Sequence, residues 1–463
     1  MSTPHILLVV FPAQGHISPA LQLAMKLVAQ GIQLTFLTSS FAEARMSKPT
    51  NISGLNFVYF PEVTKGKDYM FELRKHGSQT LKDIILSSIN VGLPISRILY
   101  TTLLPWAADI ARESHIPSIL LWTQPVTTLV TFHYYFNGYE DVIKNICNHE
   151  NSTLQLPRLP LLSRRDLHSF LLPSNPYKGV LRTFKDHLDA LDMDENPTVL
   201  VNSFNALEEE ALKAITKYKM VGVGPLVPSS IFNTKNNSED SLSSNLWQKS
   251  IDCTGWLDSK PHGSIIYVSF GSHVKQSMTQ MKEIAKGLLA SGKAFLWVIT
   301  SNNDETVKNQ EDGIEILNNM MEELEEKGMI VPWCAQLEVL KHPSIGCFLT
   351  HCGWNSTLES MVCGVPMVCF PKMFDQGTIS KLVVDVWKVG VRVDENEDGI
   401  VCQEEIKKCI DHVMDGGKFA QELGENARKW MSLGKEAVLE GGSSYYNLKA
   451  FVEEIKGGSS AFD

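Results

Sequence analysis

The sequence of 463 residues lacks several features that mark common classes of protein. It has no run of about 18 apolar residues, so no membrane-spanning helix is predicted. Asp and Glu (52) outnumber Lys and Arg (42), and the net charge of −10 argues against a nucleic-acid partner, which needs clustered basic residues. No Gly-x-Gly-x-x-Gly follows a predicted strand, which argues against a nicotinamide-dependent oxidoreductase, the main enzyme alternative.

The nine cysteines have no spacing typical of a metal site or a disulfide framework. None forms a CxxC pair, and an odd number of scattered thiols suits a reducing compartment. A cytoplasmic location is therefore predicted. The opening MSTPHILLVVFPAQGH has no basic leader, and its apolar run stops at Pro12, which favours a first strand over a signal peptide.

What is present is a regular alternation of predicted strands and helices. The first half opens with a strand at 5–11, a helix at 18–31 with Ser18 as its N-cap and Pro19 at its first position, and a strand at 32–38. Such a βαβ unit predicts a parallel, doubly wound sheet. Further strands are predicted at 97–103, 118–122 and 198–204.

The alternation lapses in the polar stretch 229–250, which is rich in Ser and Asn, and then restarts. Strands are predicted at 264–272, 294–299, 328–333, 345–350 and 365–370, and helices at 278–291, 403–414 and 443–457. Two similar α/β halves joined by a linker predict a cleft between two domains. The expected segments are an N-terminal domain at 1–235, a linker at 236–250, a C-terminal domain at 251–440, and a final helical segment at 441–463 that packs back on the N-terminal domain.

Polar side chains cluster in the segment FLTHCGWNSTLESMVCGVP, at a predicted junction between a strand and a helix. His351 ends the strand, Ser356 begins a helix predicted at 356–363, and Asn355 directly precedes it. Backbone N–H groups and the helix dipole at such a junction favour an anion. Glu359 lies one turn further on the same helical face, where a carboxylate suits ribose hydroxyls. The alternative is an ordinary polar helix start, and the density of polar groups argues against it.

Two flanking segments supply further aromatic and polar groups. Trp333 ends a predicted strand, where its ring can stack on a nucleobase, and Gln336 follows three residues later. A core position for Trp333 is equally consistent with the sequence. Asp375 and Gln376 follow another strand, and a carboxylate beside an amide suits vicinal sugar hydroxyls. Contacts to a base, a phosphate, a ribose and a sugar are thus predicted in chain order.

Over residues 333–376 the sequence resembles the donor-binding signature of the plant family 1 UDP-glycosyltransferases, and the resemblance extends over the whole chain. It implies the GT-B fold, in which two Rossmann-like α/β domains face each other across a cleft, with UDP-glucose as co-substrate and no other cofactor. The donor-binding residues that it implies are Ser272, Trp333, Cys334, Gln336, His351, Trp354, Asn355, Ser356, Glu359, Asp375 and Gln376.

Roles within this set are also implied by the resemblance. Trp333 stacks on uracil, with Gln336 at the ribose end, and Glu359 binds the ribose hydroxyls. The residues expected at the diphosphate are His351, Asn355, Ser356 and Ser272, and those expected at the transferred sugar are Trp354, Asp375 and Gln376.

The resemblance further implies that His16, in the loop after the first strand, is the general base. An imidazole can take the proton of an acceptor hydroxyl while that oxygen attacks the anomeric carbon. A single displacement inverts this carbon and gives a β-linked product from an α-linked donor. A helix N-terminus and His351 are expected to meet the negative charge on the leaving UDP.

One departure from the family pattern concerns the partner of this base. Family members commonly orient the histidine with an Asp five residues before a Trp, whereas YTTLLPW places Thr101 five residues before Trp106. A threonine hydroxyl does not offset the charge of an imidazolium. With LLWTQPVTTLVTFHYYFNGY, the substitution is similar to the subgroup of anthocyanin 5-O-glucosyltransferases and enzymes that esterify carboxylic acids. The acceptor group is thus left open between a hydroxyl and a carboxyl of a small, largely apolar plant metabolite.

The acceptor is expected to bind to the N-terminal half of the chain. The protein is expected to be a monomer. The candidate residues are Gln14, Gln124, His133, Tyr134 and Phe136. Aromatic side chains suit a flat apolar molecule, and a core role for each is equally consistent with the sequence.

Two motifs imitate metal sites. DENEDGIVCQEE (394–405) matches the spacing of a calcium loop, but a predicted strand precedes it where a helix is required. DMD (192–194) imitates the acidic metal motif of the other major glycosyltransferase fold, but it precedes a strand instead of following one. Both are interpreted as turns, and no metal site is predicted. A catalytically inactive binding protein would be favoured if His16 or the donor cluster were absent.

Overall fold

The computed structural model of the chain describes residues 3–46, 52–61, 66, 68–149, 152–177, 179–232, 250–272, 276–299 and 320–457. The chain divides into two compact units, one formed by Met1–Gln248 with Gly434–Asp463 and the other by Lys249–Leu433. Each unit contains its own parallel sheet, as the alternation of strands and helices predicts. The linker predicted at 236–250 lies outside the described residues, apart from its last residue.

The first unit is built on a seven-stranded sheet. Its strands are β1 His5–Val9, β2 Gln33–Ser39, β3 Leu55–Phe60, β4 Arg97–Thr101, β5 Ser118–Trp122, β8 Thr198–Val201 and β9 Lys219–Gly222, and a separate antiparallel pair is formed by β6 Thr153–Leu154 and β7 Leu162–Ser163. The order across the sheet is β3-β2-β1-β4-β5-β8-β9, and all neighbours are parallel. Helices cover both faces of such a sheet, which is why the central strands read as continuous apolar runs.

The helices of the first unit return from the carboxyl edge of the sheet to its amino edge. They are α1 Gln14–Ala29, α2 Ser40–Arg45, α3 Tyr69–Asn90, α4 Trp106–Glu113, α5 Val126–Tyr134, α6 Glu140–Asn148, α7 Val180–Asp192 and α8 Glu209–Leu212. All loops that follow the ends of parallel strands meet at one edge of the sheet, which is where this class of fold places its ligands.

The start of α1 differs from the prediction. The helix begins at Gln14, so Ser18 is not its N-cap and Pro19 lies inside it. The proline misled the prediction because it is common at the first helical position, yet within the opening turns it removes only one backbone hydrogen bond. As a consequence, His16 lies in the first turn of the helix and not in a loop.

The second unit repeats the architecture with six parallel strands. Its strands are β10 Ile265–Ser269, β11 Ala294–Val298, β12 Gly328–Val331, β13 Ile345–Thr350, β14 Met367–Cys369 and β15 Gly390–Arg392, in the order β12-β11-β10-β13-β14-β15. Its helices are α9 Thr254–Asp258, α10 Met278–Ser291, α11 Gln336–Lys341, α12 Trp354–Cys363, α13 Gln376–Lys381, α14 Gln403–Met414 and α15 Lys418–Val438, of which the residues from Gly434 on belong to the first unit. Cys347 and Leu349 of β13 pack in its core beside Ile266 and Val268 of β10.

The last helix, α16 Ser443–Gly457, belongs to the first unit. Its Leu448, Phe451 and Val452 pack into the hydrophobic core of that unit. The Lys456 ammonium also donates to the carbonyl of Gln30 at the end of α1, over 2.8 Å. No helix among the described residues is both long enough and apolar enough to cross a membrane.

Candidate active site

His16 lies directly after the carboxyl end of β1, in the first turn of α1. Its ring is half-buried and packs beside Phe11, with the ring centroids 5.0 Å apart. Its Nδ1 lies 3.3 Å from the Thr102 hydroxyl, and that oxygen lies 3.2 Å from the Thr123 hydroxyl. Thr102 and Thr123 follow β4 and β5, so neighbouring strands bring these groups together at the carboxyl edge of the sheet.

The threonine beside the histidine is not the one that the sequence predicted. Thr101 was expected there, but it is the last residue of β4, and its hydroxyl accepts the N–H of Phe11 over 2.9 Å. Thr102 makes the contact to Nδ1 instead. Consecutive residues of an extended chain point to opposite sides, so an error of one position exchanges the two hydroxyls.

Two of the predicted acceptor residues lie at this same edge. Gln14 is the first residue of α1, and Gln124 lies in the connection between β5 and α5. The ring of His133, in contrast, lies 5.7 Å from the ring of Tyr218, the residue immediately before β9. In a parallel sheet that position is the opposite, amino edge, so His133 is separated from His16 by the length of the strands.

Tyr134 and Phe136 follow His133 at the end of α5 and share its location. The nine residues of α5 span about 13 Å. Tyr134 packs against Tyr139, with the rings 5.2 Å apart, and Phe136 packs against Tyr135 at 5.0 Å. The structure therefore does not bring the predicted aromatic residues together with His16, because α5 carries them back across the sheet.

A buried carboxylate, missed in the sequence, fixes the start of α5. Glu208 is 5% exposed, and its oxygens accept the N–H of Val126 and both the N–H and the hydroxyl of Thr127, over 2.9–3.0 Å. Burial raises the pKa of this carboxyl, and the hydrogen bonds oppose that rise. Because α5 follows Gln124, this contact fixes the end of the connection between β5 and α5, at the edge of the sheet that carries His16. Its sequence signal, a Glu about 80 residues from the helix that it caps, is too distant to detect.

In the second unit, the His351 ring lies between two glycines. A Cβ atom at Gly353 would lie 2.5 Å from His351 Nε2, and one at Gly271 would lie 2.7 Å from the same nitrogen. Neither position therefore accommodates a side chain unless the imidazole moves. Gly271 follows β10 and Gly353 follows β13, so two adjacent strands set the position of the imidazole.

The helix α12 begins directly beside this imidazole. Gly353 is its N-cap, and Trp354 is its first residue, two residues earlier than predicted. Asn355 and Ser356 thus lie in the first turn, where the positive end of the helix dipole favours an anion. The Trp354 ring, which was expected to contact the sugar, is 4% exposed and packs against Trp387, so its side chain is part of the core.

A hydrogen-bond network connects this helix to α11 and β10. Gln336 Nε2 donates to Ser356 Oγ over 2.9 Å and to Glu359 Oε2 over 2.6 Å. Its Oε1 accepts the hydroxyl of Tyr267 on β10, over 3.2 Å. Burial raises the pKa of Glu359 to about 7, and the hydrogen bond from Gln336 partly opposes that rise. Three of the predicted donor residues are thus in direct contact, and Tyr267 is a member that the sequence analysis missed.

Three further residues that were predicted to bind the donor differ in how far they are exposed to solvent. Trp333 is half-buried after β12, and its carbonyl accepts the N–H of Ile251 over 3.0 Å. Cys334 is 5% exposed, with its sulfur 3.5 Å from the Tyr267 hydroxyl, so it packs behind the network. Ser272 is exposed after the end of β10.

Asp375 and Gln376 lie side by side after β14, and both are buried. Burial raises the pKa of Asp375 to about 7, and within the described residues no other residue donates a hydrogen bond to its carboxylate. The Gln376 Oε1 accepts the N–H groups of Lys372 and Met373, over 2.8 and 3.0 Å. The amide oxygen therefore holds the preceding loop, and its NH₂ group is the part that remains to bind a ligand.

The two units thus carry complementary chemistry, one with a histidine and hydroxyls, the other with a helix N-terminus, a histidine and two carboxyls with raised pKa. In the described part of the chain, no three His, Cys, Asp or Glu side chains are grouped as a metal site would require. The calcium-like segment 394–405 follows a strand and forms a turn in which Asn396 Oδ1 accepts the N–H groups of Asp398 and Ile400.

Comparison with known proteins shows the family of the chain. Residues 227–433 match the family model described as UDP-glucoronosyl and UDP-glucosyl transferase. The chain is 60% identical to an anthocyanidin 3-O-glucoside 5-O-glucosyltransferase of Gentiana triflora, over 99% of this chain and 98% of the relative. It is 52% identical to a chloroplastic crocetin glucosyltransferase of Gardenia jasminoides, over 99% of this chain and 98% of the relative.

Solved structures resemble the whole chain as well. Os79 from O. sativa, in complex with UDP, has a TM-score of 0.81 at 30% identity. The match covers 97% of this chain and 100% of the Os79 chain. UGT2 from Phytolacca americana has a TM-score of 0.80 at 25% identity and covers 98% and 100%.

Fold and comparisons together define a glycosyltransferase of the GT-B class, with two parallel-sheet α/β domains. The chain belongs to the UDP-glucoronosyl and UDP-glucosyl transferase family and is a UDP-glycosyltransferase.

Proposed function

We propose that the protein transfers glucose from UDP-glucose, with inversion, to a hydroxyl or carboxyl group of a small, largely apolar plant metabolite, with His16 as general base. The observation that carries the proposal is the network at α12, in which Gln336 joins Ser356 and Glu359 beside the dipole of a helix. A diphosphate suits the helix start and ribose hydroxyls suit the carboxylate, so one nucleotide uses both.

The donor sugar is proposed to bind at Asp375 and Gln376. A buried carboxylate that receives no hydrogen bond from another described residue is an acceptor for sugar hydroxyls, and the Gln376 NH₂ group is a donor beside it. Trp333, half-buried at the end of β12, is proposed to stack on the uracil. Trp354 is not proposed to contact the sugar through its ring, because that ring lies in the core.

In the proposed reaction the acceptor oxygen attacks the anomeric carbon of glucose as His16 takes the hydroxyl proton. The new carbon–oxygen bond forms while the bond to the UDP oxygen breaks, so the anomeric centre inverts once. The negative charge that develops on UDP is met by the dipole of α12 and by His351, so no metal or other cofactor is proposed. The Thr102 hydroxyl lies 3.3 Å from His16 Nδ1, and in the proposed tautomer it accepts the Nδ1–H, so that Nε2 is the nitrogen that takes the proton.

The threonine bears on the class of acceptor. A hydroxyl orients the imidazole but contributes no charge to stabilise the imidazolium that forms when a proton is removed. A carboxylate acceptor is already ionised near neutral pH, so it needs no base, whereas an acidic phenol needs only a weak one. One relative is named for an anthocyanidin 3-O-glucoside and another for crocetin, and these names support a small plant metabolite as the acceptor.

The test is a screen of phenolic, alcoholic and carboxylic acceptors with UDP-glucose, in which UDP release and product mass are measured. His16→Ala should reduce transfer to phenols by about 10²-fold or more and transfer to carboxylates far less. Thr102→Asp should speed transfer to weakly acidic alcohols. The role of His16 is wrong if His16→Ala leaves transfer to phenols intact, and the absence of a metal is wrong if EDTA abolishes turnover.

A further inference from the structure

His187 lies on α7 in the first unit and has no role in the reaction described above. Its side chain is 1% exposed, and its Nε2 lies 2.9 Å from the backbone nitrogen of Leu103. Because a backbone N–H only donates, Nε2 carries no proton, and the ring is the neutral tautomer protonated at Nδ1. The ring also stacks on Tyr100, with centroids 5.8 Å apart and planes 8° from parallel.

Leu103 needs this partner because of its backbone conformation. Its φ of +73° is in the left-handed region, which a leucine side chain disfavours. Such a conformation persists when the surroundings hold it in place. The residue before it, Thr102, carries the hydroxyl that lies 3.3 Å from His16 Nδ1. The turn that aims Thr102 at the base is therefore held from behind by a side chain about 84 positions further along the chain.

We infer that His187 is a positioning residue for glucosyl transfer: its Nε2 holds Leu103 in the left-handed turn and thereby keeps the Thr102 hydroxyl on His16. This inference rests on the proposed role of His16 as base. Burial, assisted by the nearby His16, lowers the pKa of His187 to about 3. The ring therefore stays neutral near pH 7, so its nitrogen remains an acceptor for the N–H of Leu103.

The inference predicts a specific kinetic change in His187→Leu, which removes the acceptor and keeps an apolar side chain of similar size. With a phenolic acceptor, kcat should fall about tenfold, which is part of the 10²–10⁴-fold that a general base contributes. The KM for UDP-glucose should not change, because the donor residues lie in the second unit. With a carboxylate acceptor, kcat should change little, because no proton is removed. His187→Gln, whose amide oxygen can accept the same N–H, should recover most of the loss.

A matched control is available in the same core. His168 is also 1% exposed, and its Nδ1 accepts the N–H of Phe170 over 3.3 Å. Both histidines contact the ring of Phe184, with centroids 5.9 Å away for His168 and 6.5 Å for His187. His168→Leu thus removes a comparable hydrogen bond away from the turn at Leu103. It should lower the melting temperature without the selective loss of kcat on phenols.

The results separate the inference from the proposed function. If His16→Ala abolishes transfer to phenols while His187→Leu retains full kcat, the inference is overturned and the role of the base stands. Equal losses of kcat in His187→Leu and His168→Leu also overturn it, because they indicate a general effect of stability. If His187→Leu does not fold, the half-buried Leu103 gives the same test: Leu103→Val, which resists positive φ, must lower kcat more than Leu103→Gly.

Discussion

If Glu359 binds the ribose as proposed, its burial should make the affinity for UDP-glucose depend on pH. Burial raises the pKa of this carboxyl to about 7 against the partly opposing hydrogen bond from Gln336. In the proposed complex the ribose hydroxyls donate to the carboxylate, and an ionised carboxylate accepts such bonds better than a neutral acid. Binding therefore selects the ionised form, and the affinity for UDP-glucose should increase as the pH rises through 7.

The expected size of the effect follows from the pKa. With a pKa near 7, roughly a tenth of the Glu359 carboxyls are ionised at about pH 6 and roughly nine tenths at about pH 8. The Kd for UDP-glucose should thus fall about tenfold across this interval. Asp375 has a pKa raised to about 7 by burial as well. If both carboxylates must be ionised to bind the donor, the fall approaches about a hundredfold.

The measurement is a titration of the protein with UDP-glucose at several values of pH, in which binding is monitored by calorimetry or tryptophan fluorescence. UDP-glucose is preferable to UDP, because the terminal phosphate of UDP itself ionises near pH 6 and would add its own dependence, as phosphate esters do. Glu359→Gln should remove one part of the slope, and Asp375→Asn should remove the other. A Kd that does not change across this pH range, or a slope that both variants leave intact, refutes the reasoning.

The same shift has the opposite effect on the protein without its donor. The Glu359 carboxyl ionises near 4.5 when unfolded and near 7 when folded, so the folded state favours the neutral form. Its contribution to stability is therefore fully present below about 4.5 and is lost as the pH rises through 7. The increase in Tm on adding UDP-glucose should consequently grow with pH over this range.

Two further predictions concern the donor site. Gly353→Ala should weaken UDP-glucose binding by at least about tenfold, because its Cβ would lie 2.5 Å from His351 Nε2. The control Gly255→Ala should leave the affinity unchanged, because no atom lies within 4 Å of the added carbon. Equal affinities of the two variants in calorimetry would contradict this prediction. Tyr267→Phe removes one hydrogen bond to Gln336 and should raise the KM for UDP-glucose about threefold to tenfold while kcat stays constant; a lower kcat at unchanged KM would show that the hydroxyl acts elsewhere.

The fold was largely predictable where burial is uniform. The helices Met278–Ser291, Gln403–Met414 and Ser443–Gly457 have the predicted bounds, because helical periodicity and end signals agree there. The strands β3 and β9 were not predicted. They are the two edges of the first sheet, where partly exposed residues interrupt the apolar run that identifies a central strand.

The contacts among Gln336, Ser356 and Glu359 could be anticipated because the residues predicted to bind the donor lie close together in the sequence. Between residues 333 and 376, these polar groups follow the end of a strand or lie in the first two turns of a helix, so local patterns indicate the edge of the sheet where they meet. What the local pattern omits is the support behind them. Tyr267 and Glu208 act through hydrogen bonds to residues about 70 and 80 positions away, and no single-sequence pattern connects such pairs.

The differences between the expected and observed positions of residues around His16 have a common physical origin, which is the direction in which a strand or helix carries its side chains. A strand alternates its side chains, so placing the partner of His16 at Thr101 instead of Thr102 exchanged a hydroxyl that binds backbone for one that meets the imidazole. The helix α5 returns the chain from the carboxyl edge of the sheet to its amino edge. His133 therefore lies at the opposite edge from Gln124, although the two are only nine residues apart. Sequence proximity within one element thus predicts a shared face but not a shared edge. It follows that residues for the acceptor are best sought after the ends of β1, β4 and β5, the strands whose loops bring His16, Thr102 and Thr123 together.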